Sequence, residues 1–598
     1  MKRSYIAIAA ALLAAGFASC SDELDVTNPN TQTTEDFGKD ESTLQEAVIA
    51  CYNRIRLEGT YARVGYTMDA VRGDEVYNPG LIWYYPYDAL NETPVDEIGN
   101  QWIWRDCYHV VNRTNYVLQQ VEKVSLSTDA YNKIKGQALF LRALAYYTLA
   151  TYHHECCLIT DYSSYSDMNS LYASLNTYDE VLDQVEADLK EAMQILPNKS
   201  IGGEFAKGRA TCGSAAGYYA RTLMLRHKYS DALVVLKDII AGTYGNYSLM
   251  ADYGANFTEA GENNAESLFE VQYMNYGTGG VDEEWTPVNI SKESTQGHAV
   301  ESNYAPNAFG SWGDLAASPW LYNLYKAEKC TDGRLDPRLY WTICSYEAEY
   351  DTYTDQGTAA YPDGDPRKNV LYNTTLAADA EGVTSLCISN ATGGGLGIAK
   401  WTYAREWPTD FTTIVTGLHN GINLRLMRYS DVLLRAAECE NEVNGPTQTA
   451  IDYINQVRER VALPDLKLSD FPTADALFEQ IANVERPKEF GCENGRGIDL
   501  NRWGFYESAD RKAQLRQHMI FKLSLEASAA KGVYTNSDID GSTIRSNMDT
   551  YLEAHEYFPI AQSTLDANPH LVGNCAYNSK KPDGFFPWSV RPVVDLSK

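Results

Sequence analysis

The segment GQALFLRALAYYTLATY, residues 136–152, is a long run of apolar and aromatic residues without a proline. Its apolar side chains would surround a helix on most sides instead of forming a single stripe, which predicts burial on most sides. A helix of this kind is stable only when other helices pack around it. The segment therefore predicts a long helix that is buried on most sides within a helical scaffold.

Amphipathic helices are predicted elsewhere in the chain. In the segment 177–197, Thr177 and Glu180 form a capping box and Pro197 ends the run. Apolar residues recur between them on one helical face: Val181, Leu182, Val185, Leu189, Ala192, Met193 and Leu196. Two further helical hairpins are predicted at 215–226, 229–242, 433–444 and 450–460. The pattern is similar to tetratricopeptide hairpins, but the full 34-residue consensus is not met in tandem, so we predict degenerate, dispersed hairpins instead of a regular solenoid.

Long irregular stretches separate the predicted helices. The largest are 274–313 and 347–416, which are rich in Gly, Asn, Asp and Tyr and show little periodicity. Loops of this length are uncommon in a compact fold and usually have a function. The sequence thus predicts a helical scaffold with a large, loop-rich remainder.

The charge of the chain restricts its partners. The 598 residues carry a net charge of −30, and aromatic residues make up 12% of the chain, with 43 Tyr and 11 Trp. Nucleic acid is excluded as a partner because its binding requires clustered Lys and Arg. The same balance disfavours polyanionic substrates, although a local basic patch could override it. We expect neutral ligands.

The N-terminus predicts secretion and lipidation. Lys2 and Arg3 precede a short apolar run at 6–18, which is typical of a secretory signal and is too short for a bilayer span. The small residues before Cys20 resemble a bacterial lipobox, in which this cysteine is acylated and becomes the new N-terminus. We therefore predict a signal peptide at 1–19, a lipid on Cys20 and an acidic tether at 20–40.

Signatures of catalysis and of metal binding are weak. The chain has no G-x-S-x-G, H-E-x-x-H or G-x-x-x-x-G-K-[ST] motif, so we predict that it is not an enzyme and needs no cofactor. The run from His153 to Cys157 offers metal-ligand types at an unsuitable spacing, and the end of a helix is the better interpretation. Acidic residues at 351–365 do not follow the spacing of a calcium loop. The acids and arginines between Glu485 and Trp503 predict a structural ion-pair network.

Aromatic clusters are the remaining candidates for a site. The first contains Trp83, Tyr84, Tyr85 and Tyr87, and the second contains Trp285, Tyr304, Phe309, Trp312 and Trp320. Flat rings suit sugars because the C–H face of a pyranose buries apolar area on them, while polar side chains bind hydroxyls. We predict stacking by Trp83, Tyr84, Tyr85 and Trp320, and hydroxyl binding by Asp74, Arg72 and Asn78. The alternative is core packing, which we favour for Trp102 and Trp104.

Several motifs together resemble one family, the SusD/RagB nutrient-binding lipoproteins of Bacteroidota. They are Trp104-x-x-x-Tyr108 followed by Asn115, Leu139–Ala143, the 177–197 helix, Gly208–Thr211, Glu266–Tyr273, Arg428–Leu434, Ile454–Arg460, Glu485-Arg486, Asp499–Trp503 and Phe558–Ile560. Their order and spacing are specific in combination, and they cover nearly the whole mature chain. The resemblance implies an all-α fold of about four tetratricopeptide-like hairpins with an irregular, loop-rich remainder. It also implies one SusD-like domain at 41–598, with its C-terminal region at about 270–598.

The resemblance also implies a function. Such a protein would be anchored in the outer membrane by its lipid, face the cell exterior, capture oligosaccharides and pass them to a SusC-like TonB-dependent barrel. Acidic residues directly after Cys20 are similar to a surface-export signal of these lipoproteins. The ligand loops would correspond to 74–87 and 285–320. Two alternatives stay open, namely capture of peptides and a tetratricopeptide scaffold for envelope assembly.

Overall fold

The structure is a computed structural model. It describes residues 38–78, 82–163, 172–274, 297–305, 311–344, 396–405, 420–519, 522–523, 539–540, 556–571 and 588–597. The predicted lipidation site Cys20, the candidates Trp285 and Phe309, and most of the predicted loops 274–313 and 347–416 lie outside these residues.

A series of long helices forms the scaffold. They are α1 (Glu41–Arg54), α4 (Glu97–Val121), α5 (Thr128–His153), α6 (Tyr178–Ile195), α8 (Cys212–Leu225), α9 (Tyr229–Ile240), α13 (Tyr429–Asn444) and α14 (Gln448–Arg460). Each packs against the next in this order, which gives four successive helical pairs. The prediction of an all-α fold with about four helical hairpins is confirmed. In the part of the chain that the structure describes, no helix has the length and hydropathy needed to cross a bilayer.

Shorter elements surround this scaffold. The short helices are α2 (Val64–Arg72), α3 (Tyr85–Asp88), α7 (Lys199–Gly202), α10 (Val300–Tyr304), α11 (Pro319–Lys326), α12 (Pro337–Thr342), α15 (Ala474–Gln480), α16 (Arg486–Phe490), α17 (Arg496–Arg502), α18 (Ala509–Met519) and α19 (Gln562–Ala567). The strands are β1 (Val76–Tyr77), β2 (Ser267–Val271), β3 (Ala316–Ala317), β4 (Leu424–Arg428), β5 (Lys522–Leu523) and β6 (Ile539–Asp540). They pair antiparallel as β1 with β3, β2 with β4 and β5 with β6.

Helix α5 is buried over most of its length, as its sequence predicts. Every residue from Gly136 to the last residue of the helix, His153, is buried. The neighbouring α8 contains small residues where strands approach it. A Cβ atom at Gly217 would lie 2.5 Å from the sulfur of Met427 in β4, so a larger residue there would push this side chain aside. Small residues in these helices therefore permit close packing not only between helices but also against the β2–β4 pair.

A buried ion-pair network joins the C-terminal helices to the scaffold. Arg486 bonds to Asp499 and to Asp431 at 2.5 and 2.9 Å, and Arg502 makes two hydrogen bonds of 2.5 and 2.7 Å to Glu438. All five side chains are at most 6% exposed. The predicted structural network between Glu485 and Trp503 is thus confirmed. A buried charge needs such partners because its desolvation is costly.

Candidate functional site

An exposed group of apolar and aromatic side chains lies at 82–85. Ile82, Trp83 and Tyr85 are 75%, 61% and 48% exposed, whereas Tyr84 and Tyr87 are buried. We call these residues, 82–87, the aromatic platform. Large rings exposed side by side are unusual on a soluble surface and often mark a binding site. Trp83 and Tyr85 thus have the exposure that stacking on a sugar requires, whereas Tyr84 does not.

The buried tyrosines fix the platform to the interior. The hydroxyl of Tyr84 accepts a hydrogen bond of 2.7 Å from Asn303 and lies 3.0 Å from the hydroxyl of Thr67. Burial raises the pKa of Tyr84 to about 12, so this phenol stays protonated. The hydroxyl of Tyr87 donates to the carbonyl of Asp96 at 2.6 Å and accepts from the Gly99 amide at 2.8 Å. The exposed rings therefore stand on a rigid base.

Polar groups lie beside this base. Arg63 pairs with the partly exposed Glu58 at 2.8 Å, and its guanidinium lies 5.2 Å from the ring centre of the half-buried Trp312. Burial raises the pKa of Asp314 to about 6, against the opposing effect of Arg63. No sequence pattern marks Glu58, Arg63 and Asp314 as site residues, because they come from two segments about 250 residues apart in the chain. We call Glu58, Arg63, Trp312 and Asp314 the polar edge.

The structure brings the two predicted aromatic regions together. Strand β1 pairs with β3 in the register Val76 to Ala317 and Tyr77 to Ala316. The amide of Trp312 donates to the carbonyl of Ser302 at 2.7 Å, within the segment whose Asn303 holds Tyr84. The segments that follow α2 and α10 thus form one neighbourhood, as the resemblance implies.

Several residues predicted to contact a ligand instead lie in the interior. They are Arg72, Asp74, Asn78, Tyr84, Tyr304 and Trp320, each less than 9% exposed. Asp74 bonds to Arg496 at 2.6 and 2.8 Å and lies 2.7 Å from the Nδ1 atom of His518. Burial alone would raise the pKa of Asp74, but these partners hold it well below its usual value. Direct hydroxyl binding by Asp74 does not fit this arrangement.

Two other buried candidates, Arg72 and Trp320, also have internal partners. Arg72 forms an ion pair with the fully buried Glu92. The indole of Trp320 is stacked on the ring of His518 at a centroid distance of 4.0 Å, which leaves it 8% exposed. Direct contact of Arg72 or Trp320 with a sugar is therefore a poor fit to this structure. The ligand-binding roles of Trp83, Tyr85 and Trp312 stay predictions, and Trp285 lies outside the described residues.

The run His153 to Cys157 is the end of a helix, as expected. His153 is the last residue of α5, is 1% exposed and lies edge-on to the ring of Trp104 at 5.2 Å. Burial lowers the pKa of His153 to about 3, so the imidazole is neutral. Within the described ranges, no three His, Cys, Asp or Glu side chains are grouped so that they could hold a metal ion.

Comparison with known proteins places the chain in a family. A model described as SusD family matches residues 265–577, more than half of the chain, and one described as starch-binding associating with outer membrane matches 22–224. SusD-like protein P25 of Formosa agariphila is 24% identical over 503 residues, which are 81% of this chain and 87% of the relative.

Solved structures show the same fold. A SusD homolog from Bacteroides thetaiotaomicron has a TM-score of 0.68 at 18% identity and covers 90% of this chain and 98% of its own. Surface glycan-binding protein A of the same species, in complex with laminarihexaose, has a TM-score of 0.61 at 20% identity, with 89% and 99% covered. This protein belongs to the SusD family.

Proposed function

We propose that this protein captures oligosaccharides at the cell surface and delivers them to a SusC-like TonB-dependent transporter in the outer membrane. The observation that carries the proposal is the aromatic platform, in which Trp83 and Tyr85 are exposed while Tyr84 and Tyr87 fix their backbone. Flat rings held rigidly bind sugar faces at low entropic cost. A relative of the same fold was solved with laminarihexaose, which supports a glycan as the cargo.

The polar edge supplies what a sugar needs besides a flat surface. Glu58, whose side chain is 31% exposed, can accept hydrogen bonds from hydroxyls, whereas Arg63 and Asp314 are 5% and 6% exposed and support this edge from behind. Neutral oligosaccharides suit this combination, because the ion pair of Glu58 with Arg63 presents no excess of positive charge. The aromatic platform and the polar edge together are the proposed ligand site, with stacking on Trp83 and Tyr85.

The first experiment is calorimetry of the purified full-length protein with laminarihexaose and a panel of neutral plant and host glycans. A sugar face that covers on the order of 100 Å² of the indole is worth about 2.5 kcal/mol, so Trp83→Ala should weaken binding roughly 50-fold. Trp83→Phe keeps a flat ring and should retain most of the affinity. Ile82→Ala is the matched control, because Ile82 is also exposed, at 75% against 61% for Trp83, but cannot stack.

Other results would change the cargo or the class. Binding of mixed peptides, unaffected by Trp83→Ala, would favour peptide capture. If no glycan or peptide binds, the capture proposal is wrong and the scaffold alternative gains support. Equal loss of affinity in Trp83→Ala and Ile82→Ala would show that stacking is not the mechanism.

Anchoring and delivery need separate tests. We propose a lipid on Cys20 as the membrane anchor, so Cys20→Ala should release the protein from the outer membrane. Protease added to whole cells should cleave a protein that faces the exterior and leave a periplasmic scaffold intact. The face of the helical hairpins is the proposed contact with the barrel, and co-purification of the two proteins from membranes would test it.

A further inference from the structure

A cavity lies away from the aromatic platform, between β2 and the segment that precedes α8. Its volume is about 190 Å³, and its lining comes from residues 199–211, from Asn263 and from the strand residues 267–270. Neither the aromatic platform nor the polar edge contributes to it. It is much larger than a single buried water requires, so it can hold part of a small molecule.

The charge of this cavity is the opposite of that of the chain. Three lining side chains, Lys199, Lys207 and Arg209, are basic, and Glu270 is the one acidic side chain in the described lining. The carboxylate of Glu270 already has hydrogen-bond partners, because it accepts hydrogen bonds from the backbone amide of Asn263 at 2.8 Å and from the side chain of Asn423 at 2.9 Å. The carboxylate of Glu270 also lies 3.6 Å from the guanidinium of Arg425, which balances its charge. Among the described lining residues, basic side chains thus outnumber acidic ones, in contrast to the net charge of −30 of the whole chain.

The ammonium group of Lys199 makes hydrogen bonds only to neutral acceptors. It donates to the carbonyl of Ser267 at 2.8 Å and to the carbonyl of Asn264, and it lies 5.2 Å from the ring centre of Tyr247. Burial lowers the pKa of Lys199 to about 8, although Glu270 acts in the opposite direction. A largely buried cation that donates its hydrogen bonds to backbone carbonyls is a favourable partner for an incoming anion.

The frame of the cavity is rigid. Asn263 adopts a left-handed backbone with φ of +53°, and its side-chain oxygen accepts from the Gly208 amide at 3.0 Å and from Gln272 at 3.2 Å. The guanidinium of Arg209 lies 5.4 Å from the ring centre of Phe205 and donates to Gln137. These contacts hold the loop against β2 without a bound ligand, so the cations need little rearrangement to bind one.

We infer that this cavity binds a single oxyanion carried by a sugar, either the carboxylate of a uronic acid or a sulfate ester. Lys199, Lys207 and Arg209 would form charge-assisted hydrogen bonds to its oxygens, and Arg209 offers the fork that matches a planar carboxylate. The anion site itself does not depend on the proposed function, but the claim that a sugar carries the anion rests on it. With such a site, the protein would hold an anionic residue of a glycan in the cavity, apart from the neutral residues on the aromatic platform.

Competition calorimetry on the full-length protein at low salt tests this inference. The probes are glucuronate, a monosaccharide sulfate, inorganic sulfate and glucose. We expect glucuronate or the sugar sulfate to bind and glucose not to displace it. The double variant Lys207→Gln with Arg209→Gln should weaken binding by at least about tenfold, because it removes two hydrogen bonds to a charged group. Lys207→Arg should retain binding.

Controls separate a true site from general electrostatics. Lys123→Gln removes one positive charge from an exposed position outside the cavity lining and should leave the affinity unchanged. An equal loss in Lys123→Gln, or failure of every anion to bind the unaltered protein, overturns the inference. Binding of inorganic sulfate alone would keep the anion site and refute its role with sugars. Trp83→Ala should not affect this binding, so failure here and failure of the proposed function are distinguishable.

Discussion

Replacing Asp188 should test whether one buried ion pair holds three helices together. Arg142 of α5 donates two hydrogen bonds of 2.7 Å to the carboxylate of Asp188 in α6, and a third of 2.9 Å to the side-chain oxygen of Asn115 in α4. The charged side chains are 9% and 4% exposed. Asp188→Asn keeps the shape but leaves the guanidinium without a counter-charge in the interior.

The size of the effect follows from this geometry. Removing one partner of a buried pair destabilises a protein by about 3–5 kcal/mol. The amide oxygen of the introduced asparagine can retain one of the two hydrogen bonds, so we expect the lower end, about 3 kcal/mol. This is a large fraction of a typical unfolding free energy of about 5–15 kcal/mol. Arg142→Leu combined with Asp188→Leu should be much less harmful, because no unpaired charge is then left behind.

Urea unfolding followed by circular dichroism at pH 7 measures the change. The matched control is Asp129→Asn, which breaks the exposed pair of Asp129 with Lys133 on the same helix. Their side chains are 74% and 33% exposed, so the control should cost less than about 1 kcal/mol. The reasoning is refuted if Asp188→Asn costs no more than the control, or if the double leucine variant is less stable than Asp188→Asn.

Two further predictions concern buried groups near the site. Burial raises the pKa of Glu75 to about 8 against the effect of Arg496, whereas an unfolded glutamate has a pKa of about 4.3. The folded state therefore binds this proton more tightly than the unfolded state, so the contribution of Glu75 to stability falls as pH rises from about 4.3 to 8. We expect Glu75→Gln to remove this fall, which a plot of the urea unfolding midpoint against pH would show. Tyr84→Phe removes the acceptor of Asn303 and should lower stability by about 1–3 kcal/mol, measured by urea unfolding, with Tyr85→Phe as a control that leaves stability nearly unchanged.

The scaffold could be predicted because its determinants are local. The capping box of Thr177 and Glu180 is present as expected, with the Glu180 amide 3.3 Å from the Thr177 hydroxyl and the carboxylate of Glu180 bound to the Thr177 amide. Helix α8 begins at Cys212, three residues before the predicted start at 215, because Thr211 and Ser214 cap it reciprocally. An Ala-rich pattern shows where a helix continues, whereas the first turn depends on such polar contacts.

The motifs of the resemblance have a physical basis in buried polar contacts. Asn115, Arg142 and Asp188 come from three separate motifs and meet in one cluster. Arg428, from a fourth motif, bonds to Glu266 of a fifth at 2.6 Å. Such contacts restrict each position to one residue type, which is why the motifs identify the fold better than hydrophobic patterning alone.

The site was harder to predict because sequence neighbours need not share an environment. Trp83 and Tyr84 are adjacent, yet one is 61% exposed and the other 3%. Asp74 lies near the aromatic residues in sequence, which suggested hydroxyl binding, but its partner Arg496 is 422 residues away. Only the folded chain shows which charges are already used in the interior.

The same distinction explains how an acidic protein can contain a basic cavity. Buried arginines such as Arg428 and Arg486 face buried carboxylates, so much of the net charge of −30 must lie on the surface. That surface repels polyanions, although salt screens it beyond about 8 Å. A ligand with one anionic group gains the short-range contacts of Lys199, Lys207 and Arg209, whereas a densely charged chain would bring its other charges against the acidic surface. The charge distribution therefore favours mostly neutral glycans with isolated anionic residues, which reconciles the expectation of neutral ligands with the proposed oxyanion site.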